Sequence, residues 1–206
     1  LNDRRIKVEF EKDRQLSQLE LLKTKIDPHF LFNNLNNIDI FIQEDPERAS
    51  EYLKKLSDIL RFMLYEAGIE KIPLTLEIEY INKYIDLQKI RTSNPSFVTF
   101  EISGDATNKR IAPMIFIHFI ENAFKYAANK KIENAITISL DISDKNNLSF
   151  ICKNHIAASK GPLNGGLGVG LLRQKLDLLY RKAYSLNTKE ENNWYIVTLH
   201  IQLDED

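Results

Sequence analysis

A single cysteine, Cys152, in a chain of 206 residues leaves no room for an intrachain disulfide framework or a cysteine-based metal cluster. It sits in an apolar run, where a core thiol is expected. Charge of one sign is also missing. The 28 Lys and Arg residues against 29 Asp and Glu give a formal net charge of −1. No basic field marks the chain for nucleic acid, so no nucleic-acid partner is expected. No apolar run approaches the roughly 18 residues of a membrane-crossing helix, and no basic-then-apolar leader opens the sequence. The chain begins at Leu1 rather than Met, in the charged stretch Asp3 to Lys7. That suggests a piece cut from a longer protein, with membrane contact only through segments outside it. Glycine is scarce early on, since six of the seven lie beyond residue 95.

What is present divides near that point, into 1–95 and 96–206. The first part is helical in pattern almost throughout. Residues 4–43 read as one long helix interrupted only by Pro28. At 100° per residue, Leu19, Leu22, Ile26, Phe30 and Phe41 fall on one side, and Leu31, Leu35, Ile38 and Ile42 on another. Two apolar faces predict burial on two sides, as in a four-helix bundle. A polar sector between them holds Lys25, His29, Asn36 and Asp39, with Phe32 expected to be exposed. Asp45-Pro46 opens a second helix, whose stripe is Ala49, Leu53, Leu56, Leu60 and Met63; Gly68 is its expected stop. Such a hairpin needs a partner for its apolar surface, and a second copy of the chain is the simplest. A third helix is expected from Thr75 to about Arg91. Beyond residue 95 the pattern predicts strands at 97–102, 135–142, 148–152 and 194–203, with helices at 113–129 and 171–184. This is a layered α/β arrangement.

Three stretches could carry chemistry. In the first, proline removes a backbone donor inside an amphipathic helix and kinks it, and His29 follows at once on the polar sector. Asn33 lies one turn further on and Asn36 two turns. A neutral imidazole near pH 7 is a competent nucleophile. A surface histidine beside a tolerated proline is the plainer account of the same residues. In the second, Phe119 to Tyr126, Glu121 and Lys125 are helical neighbours at i and i+4, as are Asn122 and Tyr126. An asparagine carbonyl is a hard oxygen ligand suited to Mg²⁺, and a lysine one turn away can neutralise phosphate. An ordinary exposed ion pair fits as well. The third, Gly165-Gly166-Leu167-Gly168-Val169-Gly170, precedes a helix. Backbone amides there can approach phosphate, although no Walker motif is formed and a mobile turn is the alternative.

Pro28-His29-Phe30-Leu31-Phe32-Asn33-Asn34-Leu35-Asn36 resembles the phosphoacceptor box of the LytS-like sensor histidine kinases of two-component systems, with Asp27 where that family usually has Asn. Leu56 to Phe62 resembles the family's second-helix signature. So does Pro73-Leu74 followed by Glu77, Tyr84 and Arg91. The resemblance runs from about Leu19 to the C-terminus. It implies an α+β chain: a helical dimerisation and phosphoacceptor hairpin, then a Bergerat-type α/β sandwich that binds ATP, as in gyrase. By the same resemblance His29 accepts the γ-phosphoryl group and passes it to an aspartate on a response-regulator receiver domain, with Phe32 as a docking contact. Asn122 would hold Mg²⁺, Glu121 would support the metal site, and Lys125 would approach the phosphates. Tyr126 stands where the family often has His. Gly166 and Gly168 would be the phosphate-loop glycines, under a lid at 157–165, with Arg173 and Lys175 at basic positions of the next helix. Lys153 stands where the family's adenine-reading Asp is expected, and the Asn154 carbonyl is the substitute acceptor. Leu171 replaces the asparagine that usually follows the phosphate glycines. Asp27 and Glu121 are the candidates for taking the imidazole proton. The implied protein is a homodimeric kinase whose core lies on the cytoplasmic side of an inner-membrane sensor. A catalytically weak pseudokinase of the same fold, acting as a dimeric scaffold, is the alternative. A helical adaptor with a coincidental histidine box is a third reading.

Overall fold

A computed structural model describes residues 28–66, 69–92, 94–128, 131–144, 146–156 and 167–203. Helices α1 (Pro28–Glu44) and α2 (Pro46–Glu66) form the expected hairpin. Asp45 makes the break between them: its Oδ1 accepts the Arg48 amide at 3.1 Å, capping α2. The two helices meet along Ile38, Phe41, Ala49, Tyr52, Leu56 and Ile59, all buried. A polar lock sits within this seam. The Tyr52 hydroxyl donates to Asn34 Oδ1, and Asn34 Nδ2 donates to the Phe30 carbonyl at 2.6 Å. Of the second apolar face expected for α1, Ile38 is buried in this seam but the rest is only partly covered among the described residues. Leu35 and Ile42 remain more than half exposed, and so does Phe32.

Strand β1 (Ile72–Pro73) leads into helix α3 (Leu74–Ile90), close to the expected 75–91. Its buried residues form one broad stripe, with Thr75, Glu79, Asn82 and Asp86 exposed opposite. Phe62 of α2 stacks on Tyr80 at 4.2 Å, and Tyr84 meets Phe124 edge-on at 5.8 Å on the other side.

A short 3-10 turn (Pro95–Phe97) then precedes β2 (Val98–Gly104), β3 (Arg110–Ile111), helix α4 (Ile117–Tyr126), β4 (Ile136–Ile142), β5 (Asn147–His155), helix α5 (Leu167–Tyr180), β6 (Tyr184–Glu191) and β7 (Trp194–Gln202). The main sheet has five strands in the order β2-β4-β5-β7-β6. Its β2–β4 pair is parallel and the others antiparallel. Alternation decides which face is covered. Ile136, Ile138 and Leu140 of β4, Phe150 and Cys152 of β5, and Val197 and Leu199 of β7 point into the helical layer and are buried. Lys153 and His200 point the other way, into solvent. Cys152 is a core thiol as expected, and burial pushes its pKa up to about 12.

Three expectations need correction. The helix expected from 113 begins only at Ile117, because 113–116 form turns, with Met114 at a left-handed φ of 61°. The helix expected at 171–184 runs from Leu167 to Tyr180. Residues 184–191, where no strand is expected from the sequence, are strand β6. It turns into β7 through Asn192 and Asn193 at φ 51° and 64°, the two positive values a tight hairpin requires.

Gly104 closes the β2–β4 pair at φ 86°, and a Cβ there would lie 2.4 Å from the Ile142 carbonyl carbon. Gly104→Ala should therefore destabilise the fold by about 3 kcal/mol, from left-handed strain plus a clash with backbone that cannot yield. Urea unfolding of the two proteins checks this.

Candidate active site

Helix α4 buries Ile117, Phe119, Ile120, Ala123 and Phe124 against the sheet. Glu121, Asn122, Lys125 and Tyr126 therefore fall on its outer side, half-buried except for the exposed Lys125. The Lys125 ammonium sits 5.3 Å from the centre of the Tyr126 ring. Glu121 Oε2 is 3.8 Å from His118 Nδ1, one turn back.

The end of α4 is stitched to the end of β5 by the Ala128 amide, which donates to the His155 carbonyl at 2.9 Å. Asn154 lies beside this junction. The pleat of β5 turns Asn154 into the helical layer, in phase with Cys152, and turns Lys153 out to solvent. The residue facing α4 is thus the asparagine. Asn154 is buried, and its Nδ2 has no hydrogen-bond partner among the described residues. Such a group usually costs about 1–3 kcal/mol unless something supplies a partner.

The loop before α4 is held from two sides. From α3, the fully buried Glu77 carboxylate accepts the Met114 amide at 2.9 Å and the Ile115 amide at 3.1 Å. From α5, Lys175 Nζ donates to the Pro113 carbonyl at 2.5 Å, and the Ala112 amide donates to the Tyr180 hydroxyl at 2.8 Å. Burial raises the Glu77 pKa to about 7, opposed by the loop amides and the Lys175 charge. Burial, with the Lys175 charge second, lowers His118 to about 4, so its contact with Glu121 is that of a neutral ring near pH 7. Tyr80 and Tyr84 of α3 are pushed well above the ordinary phenol value, by burial first and the Glu121 charge second. Glu121 therefore sits against α3 as well as beside Asn122.

The hairpin reaches this region through rings. Phe30, the residue after His29, stacks on Tyr84 at 6.3 Å, and Tyr84 meets Phe124, two residues after Asn122, at 5.8 Å. His29 lies in the first turn of α1 and Gly168 in the first turn of α5. Asp27, Gly166 and the segment 157–165 lie outside the described residues. Arg173 and Lys175 leave α5 in different directions. Lys175 turns to α4's lead-in loop, whereas the Arg173 charge acts on Tyr184 and Tyr195. The motifs had singled out Asn33 and Asn36, but Asn34 is the buried member that locks the hairpin. The central role of Glu77 was likewise unread. The sequence marks it as part of the Pro73-Leu74…Glu77 resemblance and as an acid among the apolar positions of α3, and neither assigns it the loop amides. Among the described residues no cluster of metal-binding side chains is found, and no helix is long and apolar enough to cross a membrane.

Residues 17–96 match the model of a family described as histidine kinase. Over 118 residues the chain is 30% identical to the sensor protein LytS of Enterococcus faecalis, covering 57% of this chain and 20% of that protein. Over 146 residues it is 31% identical to the sensor protein kinase HptS of Staphylococcus aureus, covering 71% of this chain and 28% of that protein. The chain thus spans only between a fifth and three-tenths of the length of these curated relatives. Among solved structures, the histidine kinase AdeS of Acinetobacter baumannii superimposes with a TM-score of 0.48 at 14% identity, over 95% of this chain and 98% of that one. The catalytic domain of the histidine kinase ThkA gives 0.45 at 16%, over 64% and 94%.

The buried acid and the neighbouring imidazole set opposite pH slopes on stability. Glu77, raised from 4.5 to about 7, favours folding fully below pH 4.5, and this contribution is lost as pH rises towards 7. His118, lowered from 6.5 to about 4 but with 44% of its side chain exposed, adds a smaller, solvent-screened contribution that rises between pH 4 and 6.5. The slopes oppose each other between pH 4.5 and 6.5. Glu77→Gln should leave only the rising limb, so its unfolding free energy relative to the parent should climb across that window. Urea titrations at pH 5, 6 and 7 measure it, and parallel profiles would contradict the assignment.

Proposed function

Since residues 17–96 belong to the histidine kinase family and the chain is related to LytS-like sensor kinases, we propose that it is the kinase core of a two-component sensor. Its reaction is ATP-dependent phosphorylation of His29, followed by transfer to an aspartate of a response regulator. In this reading residues 1–95 form the dimerising phosphoacceptor region and 96–206 the ATP-binding domain. The chain works as a homodimer in the cytoplasm, where ATP is supplied.

The observation that carries the reading is the ring series Phe30–Tyr84–Phe124. It packs the start of the histidine helix, through α3, onto the helix that bears Asn122. A histidine box and a nucleotide helix that were merely neighbours in sequence would need no such contact. The residues on α4 also suit their proposed partners. Asn122 offers a carbonyl oxygen of the kind Mg²⁺ accepts, and Glu121 adds negative charge beside it. Asn154 presents a buried amide nitrogen lacking a partner among the described residues, next to the end of α4. The edge of an adenine ring can satisfy such a group.

The chemistry is a displacement at phosphorus. An imidazole nitrogen of His29 forms a bond to the γ-phosphorus, the bond to the bridging β,γ-oxygen breaks, and ADP leaves with that electron pair. The imidazole proton passes to a carboxylate acting as base, for which Glu121 and Asp27 are the candidates. Positioning and charge neutralisation supply most of the acceleration. Lys125 and the first turn of α5 at Gly168, with Gly166 ahead of it, provide the charge and amides on the phosphate side, and Arg173 and Tyr126 flank them. Mg²⁺, held at Asn122, would neutralise phosphate charge. The exposed Phe32 and the half-covered Leu35 and Ile42 provide apolar surface for the regulator and for the second protomer.

Incubation with γ-labelled ATP should give acid-labile, base-stable label that His29→Gln abolishes. Label that survives this substitution would remove the site assignment. Asn122→Ala should lower Mg-dependent affinity for an ATP analogue by at least tenfold in calorimetry. A parent that binds no analogue and takes no label would leave the chain a scaffold rather than a kinase.

A further inference from the structure

The family match and the histidine box say nothing about why a carboxylate is sealed inside this fold. Glu77 has no exposed surface. It is the most buried of four polar residues, Glu77, Tyr80, Tyr84 and Gln88, along one face of α3. A buried acid without compensation costs several kcal/mol, and apolar residues fill the rest of this core. Both of its oxygens are occupied by amides of one loop, at Met114 and Ile115. That loop departs from helical geometry to offer them. Pro113 has no amide to give, and Met114 takes a φ of 61°, which costs a non-glycine residue about 1 kcal/mol or more. The same peptide is gripped from α5 by Lys175 at the Pro113 carbonyl and by Tyr180 at the Ala112 amide. Three helices thus converge on a four-residue stretch: α3 from the hairpin side, α4 with Asn122, and α5 with the glycines.

We propose that Glu77 is a positioning residue for the nucleotide site, holding the 112–116 loop so that α4 and α5 stand at the separation a bound triphosphate needs, and tying that separation to the hairpin through α3. The proposal rests on the kinase reading for its ligand but not for its geometry. Two charge-assisted hydrogen bonds from one rigid helix fix both the distance and the direction of the loop. A neutral amide at the same place cannot do so. Glutamine keeps one acceptor and turns a donor towards the other amide. The Glu77 side chain touches no reacting atom, and its influence runs through the loop.

The test uses the full chain and two variants, Glu77→Gln and Tyr180→Phe, with two readouts. Hydrogen exchange followed by mass spectrometry, without nucleotide, reads the loop itself. Glu77→Gln is expected to speed exchange over 112–121 by at least tenfold while peptides from β4 and β5 stay as in the parent. Trinitrophenyl-ATP with Mg²⁺ reads the consequence. Affinity should fall about tenfold, and where phosphorylation is measured KM for ATP should rise more than kcat falls. A carboxylate that merely stabilised the fold would lower the melting temperature and leave KM unchanged, and that result would overturn the proposal. So would parent-like exchange over 112–121. If Glu77→Gln does not fold, Tyr180→Phe decides: faster exchange with weaker analogue binding upholds the proposal, and parent values in both reject it. A parent that binds no trinitrophenyl-ATP removes the kinase reading instead, and the exchange data then judge the loop clamp alone.

Discussion

The Glu77 carboxylate, sealed from water, can stay in the core only if charged or dipolar groups come to it. That constraint shapes much of this molecule. The amides of Met114 and Ile115 meet the need directly, and Lys175 lends its charge from across the loop. Each of those groups belongs to a different segment from Glu77. Satisfying one acid therefore fixes α3, the lead-in to α4, and α5 with respect to one another. It also determines where α4 begins. Met114 takes a left-handed φ of 61° as its amide turns to Glu77, so the stretch 113–116 stays outside the helix, α4 starts at Ile117, and its outer side carries Glu121, Asn122 and Lys125.

What could be read from the sequence follows the range of the interactions involved. The turn at Asp45-Pro46 is a local contact and was legible from local residues, down to the capping oxygen. The β4 and β5 strands announce themselves by alternation. The box around His29 is legible because its residues are contiguous. Elements set by distant partners were not. Pro113 to Phe116 continues the apolar pattern of α4, and the contacts that hold it as a turn come from Glu77, far back in the chain, and from Lys175 and Tyr180, far ahead. Strand β6 reads Tyr184-Ser-Leu-Asn-Thr-Lys-Glu-Glu191; apolar alternation stops at the buried Leu186, and the rest is an exposed edge. Its one cue was the Asn192-Asn193 pair, which suits a hairpin turn with positive φ.

Around the candidate site the decisive detail is phase. Sequence comparison sets Lys153 where an adenine-reading acid is expected, and on that basis the site looks impaired. A strand reverses side-chain direction at every residue, however, so one position separates a residue in the helical layer from one in solvent. The pleat puts Asn154 inward and Lys153 outward. The same reasoning applies on a helix. Arg173 and Lys175, two residues apart, point to different neighbours, and the one that grips the nucleotide-helix loop is Lys175. Neither assignment was available without the register of β5 or the rotation of α5.

The two ends of α3 are held by different physics, and this bears on how movement in the hairpin could reach α4. At Glu77 the contacts are short, charged and directional, so displacement by an ångström breaks them. Near Tyr84 the contacts are ring against ring, Phe30 on one side and Phe124 on the other. Dispersion between rings depends weakly on sliding, and such pairs tolerate several offset arrangements. Polar contacts also tie the hairpin to this half of α3: Arg48 donates to the Ile90 carbonyl, and Lys55 Nζ lies 3.2 Å from Asp86 Oδ2. Phe30 is the link because it is both the residue next to His29 and the first ring in that series.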